Sequence, residues 1–139
     1  MAIRLLDAET HSRLRATVAV VSLDQAVAEL VENAIDAGAD KIKVGIRIDD
    51  GYIQVCDNGK GIASADAPLL GTRYALASLS RVSVVEIRTR CKQTAPGFVV
   101  MIKDEQVLDQ QPLNDPLTYS YGTSTRLHGL FAQVPYTSK

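Results

Sequence analysis

Three short clusters in this 139-residue chain place together side chains that could hold a polar ligand. The first is Glu29, Asn33 and Asp36, two carboxylates and an amide. On a helix turning about 100° per residue they fall within roughly 60° of one another and form one polar edge. Such an edge, lying opposite an apolar stripe, is ordinarily just the solvated face of a helix. The second is Asp57-Asn58-Gly59-Lys60-Gly61. An aspartate at a strand end can accept a hydrogen bond from an amino group, and the glycines can let backbone approach a ligand, although the same residues also serve plain turns. The third is Gly122-Thr123-Ser124-Thr125, whose hydroxyls open a late strand.

The elements that must position these clusters are legible from periodicity. Ser22 is a suitable N-cap with Gln25 three residues on as in a capping box, and Gly38 supplies the stop, so a helix is expected between them. Val27, Leu30, Val31, Ala34 and Ile35 recur at helical spacing and define its expected buried face. From Lys41 the period changes to two: Ile42, Val44, Ile46 and Ile48 alternate with polar or small residues as in a half-buried strand. Asp50-Gly51 carries the chemistry of a two-residue hairpin turn, with Tyr52 to Cys56 returning as the second strand. A short helix is expected over Ala75 to Arg81, and strands over Ser83 to Thr89, Phe98 to Lys103 and Thr123 to His128. Asp104 to Tyr121, which holds Pro112 and Pro116, reads as loop with at most one short strand near Val107. A further short helix is expected from Asp7 to Thr17. Early helices and later strands predict an α+β two-layer sandwich, with helices on one face of a mixed, mostly antiparallel sheet.

Composition narrows the class. Apolar residues make up 46% and charged residues 22%, which suits a packed domain rather than a disordered chain. Fifteen basic against sixteen acidic side chains leave no global positive field for holding nucleic acid. The scattered basic residues Arg13, Arg15, Lys41, Lys43, Arg88, Arg90 and Lys92 read as solvated surface. The acidic residues near the N-terminus do not suit a signal peptide, and no apolar run reaches membrane-spanning length, so no membrane association is expected. Cys56 and Cys91 stand apart, signal neither disulfide nor zinc site, and read as small apolar residues.

Order and combination add what no cluster carries alone. E-x-x-x-N-x-x-D-A on a helix (Glu29, Asn33, Asp36, Ala37), then a hairpin, then D-x-G-x-G (Asp57, Gly59, Gly61), then a late G-T strand (Gly122, Thr123) resembles the signature of the GHKL ATPases. That superfamily includes DNA gyrase B, the Hsp90 chaperones, sensor histidine kinases and MutL. The run from Val27 to Val44, the run from Gly122 to Pro135, and the opening Ile3 and Leu6 look like the MutL family of DNA mismatch-repair proteins. Within it, Asp24-Gln25 and Gly71-Thr72-Arg73-Tyr74 point toward the eukaryotic third MutL homologue, a protein of meiotic crossover and repair. Histidine kinases fit less well, because they usually place no glutamate where Glu29 stands.

The resemblance implies a Bergerat-type ATP-binding domain over residues 1–139, using ATP and Mg²⁺. By similarity, Glu29 is the general base toward water, Asn33 ligates Mg²⁺, and Asp57 accepts from the adenine amino group. Gly59 and Gly61 give close backbone approach, Thr123 supports Asp57 directly or through water, and Asp36 holds the helix against a neighbouring strand. It further implies a second MutL-family subunit as heterodimer partner through regions this chain lacks, mismatch-recognition proteins, indirect contact with DNA, and a nuclear location in a eukaryote or a cytoplasmic one otherwise.

One departure stands out. The family carries a mobile lid ending in a glycine-rich G-F-R-G-E-A-L segment at a helix N-terminus, which cradles the phosphates. Here Gly71-Thr72-Arg73-Tyr74 runs directly into Ala75-Leu76-Ala77-Ser78, and no glycine lies between Gly71 and Gly97. The second ATPase subdomain and the dimerisation domain of the family are not expected within these residues either. An impaired nucleotide cycle follows, or, alternatively, a non-catalytic interaction module descended from an ATPase.

Overall fold

The structure, a computed structural model, describes residues 22–92 and 94–130. The expected helix over 7–17 lies outside them, as do Ile3 and Leu6. Helix α1 spans Leu23–Asp36 and is capped as its sequence requires, the Ser22 hydroxyl accepting from the Gln25 amide at 3.0 Å. The box is only half closed, because the Gln25 side chain turns forward to donate to Glu29 at 3.0 Å. Gly38, at φ +82°, follows the helix end in the left-handed conformation a stop requires.

The helix is rolled relative to expectation. Its fully buried residues are Ala26, Leu30 and Ala34, whereas Ile35 is 59% exposed and Val27 and Val31 are only half-buried. The buried stripe is thus displaced by roughly 70° toward the polar edge. Glu29, Asn33 and Asp36 therefore flank the core instead of opposing it, and this roll turns a solvated edge into the wall of a cleft.

Strands β1 (Ile42–Arg47) and β2 (Tyr52–Asp57) form the expected hairpin, but β1 is not half-buried as its alternation implied. As the edge strand, paired only with β2, it leaves Val44 41% and Ile46 44% exposed, and Ile48, 69% exposed, falls in the turn. Its loop is longer than the Asp50-Gly51 dipeptide suggested: Arg47 pairs with Tyr52, leaving Ile48 to Gly51 as a four-residue turn closed by the Gly51 amide on the Ile48 carbonyl at 3.2 Å. Side chains set that register. The Arg47 guanidinium lies 4.1 Å from the centre of the Tyr52 ring and is 3.1 Å from Asp50. After a 3₁₀ segment over Ser64–Thr72 come α2 (Tyr74–Val82), β3 (Val84–Arg90), β4 (Phe98–Lys103), β5 (Gln106–Pro112) and β6 (Gly122–His128).

The six strands make one sheet in the order β1-β2-β6-β3-β4-β5, with every described pairing antiparallel. Alternation along the strands sends Ile53 and Val55, Val85 and Ile87, Val100 and Ile102, and Leu127 to one face, where they meet Ala26 and Leu30 of α1 and Leu76 and Leu79 of α2. This is the α+β sandwich, with its helices on one side of an open sheet. The opposite face is organised by charge. Glu86, 8% exposed, accepts from Arg88 at 2.7 Å, contacts His128 at 2.9 Å and lies 3.6 Å from Arg126. Burial pushes its carboxyl upward, but the Arg88 and His128 hydrogen bonds and the Arg126 charge together outweigh that and hold it below the usual range.

Strand β5 is the element that the sequence underweighted. Its pattern Q-V-L-D-Q-Q-P is mostly exposed, because it is an edge strand paired only with β4. It enters through a turn in which Asp104 and Glu105 both have positive φ. The turn is held by the Glu105 amide on Ser80 at 2.8 Å and by an ion pair between Glu105 and Arg81.

Candidate functional site

The strand order, more than any single residue, makes the site. By inserting between β2 and β3, β6 brings Thr123 opposite Asp57 and, on its other side, opposite Thr89. The second and third clusters, more than 60 residues apart in sequence, thereby meet at one end of the sheet, where α1 also ends. Gly122 makes the junction possible. It has φ +118°, and a Cβ there would stand 2.0 Å from the Asp57 carbonyl oxygen.

A cavity of about 320 Å³ opens at this end. Its inner wall is Leu30, Val55, Ile87 and Leu76, with Asp57, Thr123 and Thr125 as polar groups. Asn33 and Asp36 from α1, Lys60, Asp66 and Arg73 stand exposed around the mouth. An apolar inner wall with fixed polar atoms beside it suits a flat heterocycle, the polar and charged rim suits a charged tail, and the volume lies in the range of small-molecule sites.

Asp57 is the buried acid of this cavity, 7% exposed. One carboxylate oxygen accepts from the Gly59 amide at 2.7 Å. Burial pushes its carboxyl above the ordinary 3.8, and the amides of Gly59 and Thr123, which favour the charged form, pull back by less. The Thr123 hydroxyl is engaged with Thr89, Oγ1 to Oγ1 at 2.9 Å. Thr89 also reaches the Gly122 carbonyl at 3.0 Å and accepts from the Ile62 amide at 2.9 Å. A carbonyl only accepts, so Thr89 gives its single hydroxyl hydrogen to Gly122 and Thr123 donates to Thr89. Thr123 therefore supports Asp57 through its backbone amide, and its hydroxyl oxygen keeps acceptor capacity beside the cavity.

The remaining expected residues divide. Asn33 and Gly61 line the cavity, whereas Glu29 and Gly59 do not. Glu29 lies one turn toward the helix N-terminus, with its carboxylate held by Gln25. At both glycines the missing side chain is required by the protein's own packing. A Cβ on Gly61, at φ +76°, would sit 2.3 Å from the Arg90 carbonyl oxygen, and one on Gly59 would sit 2.8 Å from the Ala37 Cβ. Asp36 does not tie its helix to a strand: it is exposed on the cavity rim, and no hydrogen bond holds it among the described residues. Asn58 instead ties the loop after β2 to the connection between α1 and β1. Its side-chain oxygen accepts from the Asp40 and Lys41 amides at 3.0 and 2.9 Å, and its amide nitrogen reaches Asp40 at 2.7 Å.

Residues 19–107 match the histidine kinase-, DNA gyrase B- and HSP90-like ATPase family. The relatives are MutL proteins. The chain is 31% identical to the DNA mismatch repair protein Mlh3 of Homo sapiens over 99% of its own length and 11% of that protein. It is 32% identical to the DNA mismatch repair protein MutL of Phocaeicola vulgatus over 99% of its length and 25% of that protein. This chain belongs to the MutL branch of that ATPase family.

Solved structures agree with the MutL assignment. The Aquifex aeolicus MutL ATPase domain complexed with ADP superposes with a TM-score of 0.71 at 32% identity, covering 84% of this chain and 46% of that one. The MutL-like chain thus spans less than half of its relatives. It is also shorter within the shared region. The comparison with human Mlh3 runs over 160 positions against 139 residues here, so at least 21 of them have no counterpart in this MutL-like chain. The site residues that sequence reasoning missed are Thr89 and Arg73. Thr89 carried no motif, and its role depends on β3 lying beside β6. Arg73 belongs in the sequence only to the junction after the second motif, and its place at the cavity depends on how the 3₁₀ segment delivers it to the head of α2.

Proposed function

We propose that this cavity is an adenine-nucleotide site, that the chain is the nucleotide-binding part of a MutL-like mismatch-repair protein, and that its hydrolytic cycle is impaired. The observation that carries the reading is the buried Asp57 carboxylate, oriented by the Gly59 and Thr123 amides beside the apolar inner wall of the cavity. A fixed acceptor beside Thr123 and flanked by Val55 and Ile87 fits an adenine edge and its exocyclic amino group.

Asn33, at the cavity mouth, fits the ligation of Mg²⁺. Among the described residues no group of three or more His, Cys, Asp or Glu side chains could hold a metal alone, and Mg²⁺ characteristically takes one or two protein ligands together with phosphate oxygens and water. ATP bound with the metal would supply a phosphoanhydride to be split by water, with Glu29 as the base. Two observations support impaired turnover. Glu29 is tied to Gln25 and stands outside the cavity lining. The chain also runs from the 3₁₀ segment into α2 without the glycine-rich segment that cradles phosphate in the family. The same shortening supports a second reading, a nucleotide-responsive module that docks a repair partner, such as another MutL-family subunit, without cycling. Indirect action on DNA, a meiotic role and a nuclear location belong to this proposal through the resemblance to the third MutL homologue; no described helix is long and apolar enough to cross a membrane.

Thermal unfolding with ATP, ADP and GTP tests the reading. ATP and ADP are expected to raise the midpoint and GTP is not. Steady ATP hydrolysis abolished by Glu29→Ala would overturn the impaired cycle, and equal stabilisation by GTP would overturn the adenine assignment.

A further inference from the structure

We infer that Lys60 and Arg73 form a two-cation site at the mouth of the cavity that binds the phosphates of the nucleotide in place of a backbone cradle. This rests on the adenine reading of the inner cavity and names what recognises the other end of the ligand. Lys60 is placed by its own backbone, whose amide donates to the Ala37 carbonyl at 3.0 Å and so fixes the loop against the end of α1. Arg73 is placed at the head of α2, where its amide donates to Leu70 at 3.2 Å and its carbonyl accepts from Ala77 at 2.6 Å. Both side chains line the same cavity as Asp57, and both are exposed there.

What separates them from the other described cations is that both stand on the rim of the cavity that holds Asp57. Among the described arginines, Arg47, Arg81, Arg88 and Arg126 are ion-paired and Arg90 donates to the Ala95 carbonyl. Arg73 alone has neither an ion pair nor a side-chain hydrogen bond, and Lys60 likewise has no partner among the described residues, although Asp36 and Asp66 share their rim. A cavity carrying Asp36, Asp57 and Asp66 would repel a polyphosphate. Two uncommitted cations at its mouth offset that repulsion and supply donors suited to phosphate oxygens. Point charges bind differently from a cradle of amides in one measurable respect: their contribution weakens with salt.

Calorimetric titration of the whole chain with adenosine, ADP and inorganic pyrophosphate, at low and at moderate salt, tests the assignment. ADP is expected to bind at least about a hundredfold more tightly than adenosine at low salt, with the advantage shrinking as salt rises. Lys60→Ala and Arg73→Ala should each weaken ADP about tenfold and leave adenosine within about twofold, while Lys60→Arg retains ADP binding. Equal affinity for adenosine and ADP, or variants that weaken adenosine as much as ADP, would overturn the cation site. Pyrophosphate bound through Lys60 and Arg73 with no binding of adenosine would uphold the cation site and sink the adenine reading.

Discussion

Asp57 carries two burdens that pull in opposite directions. As a recognition group it must be ionised, since only then are both oxygens free to accept. As a buried group it resists ionisation, and its carboxyl titrates above the ordinary value. The folded chain therefore holds this proton more tightly than the unfolded chain does. The stabilising contribution is fully present below pH 3.8 and is lost as the pH rises through the raised value. Asp57→Asn keeps an oxygen for the Gly59 amide but presents an amino group to the ligand. Urea denaturation should show the wild type losing stability relative to this variant as the pH is raised from about 3 to 7. Adenine binding should vanish in the variant at every pH, and in the wild type it should fade on acidification at a higher pH than an ordinary aspartate would give. A variant that binds adenosine normally would remove Asp57 from the site.

At the scale of elements, one hydroxyl joins three segments. Thr89 on β3 holds the loop after β2 through Ile62, the start of β6 through Gly122, and Thr123 itself. Replacement by valine preserves the shape and leaves the half-buried Ile62 amide and the Gly122 carbonyl without this partner. Thr89→Val should lower unfolding stability by about 1 to 3 kcal/mol and weaken adenine binding, whereas Thr89→Ser should keep most of both. Equal loss in the two variants, measured by urea titration, would mean that packing of the methyl group, not the hydroxyl, matters. Helix α1 shows the complementary case. Ser22 and Gly38 bound it as its sequence implies, yet the roll that turns Asn33 into the cavity comes from the sheet beneath, which takes up Ala26, Leu30 and Ala34 in preference to Ile35.

For the whole molecule, β6 is decisive because it is central in the sheet and late in the sequence. It pairs with β2 on one side and β3 on the other and contributes the fully buried Leu127. Without it the sheet divides into a hairpin and a three-stranded piece, and both lose the apolar face that α1 and α2 cover. A chain ending at Tyr121 should show no cooperative unfolding transition by circular dichroism, and retention of a sharp transition would show that β1 to β5 form a stable unit. In the intact chain, a nucleotide at a hundred times its dissociation constant should add about 2.7 kcal/mol to unfolding stability.

Local chemistry was enough to read the N-cap at Ser22, the strand from Ile42 though not its burial, the strands at Phe98 and Thr123, and the motif order that carries the resemblance, because each depends on neighbours within a few residues. The four-residue turn at Ile48 to Gly51, the length of strand β5 beyond the short strand expected near Val107, and the tie made by Asn58 were not legible, since a cross-strand stack, an edge pairing and an 18-residue separation set them. Tertiary structure also decided which polar residues share a cavity. It grouped Asp57, Thr123, Asn33, Lys60 and Arg73 and left Glu29 and Gly59 aside. Sequence order specifies which elements form, but the position of β6 between β2 and β3 and the roll of α1 follow from the joint burial of apolar faces, a property no single segment carries.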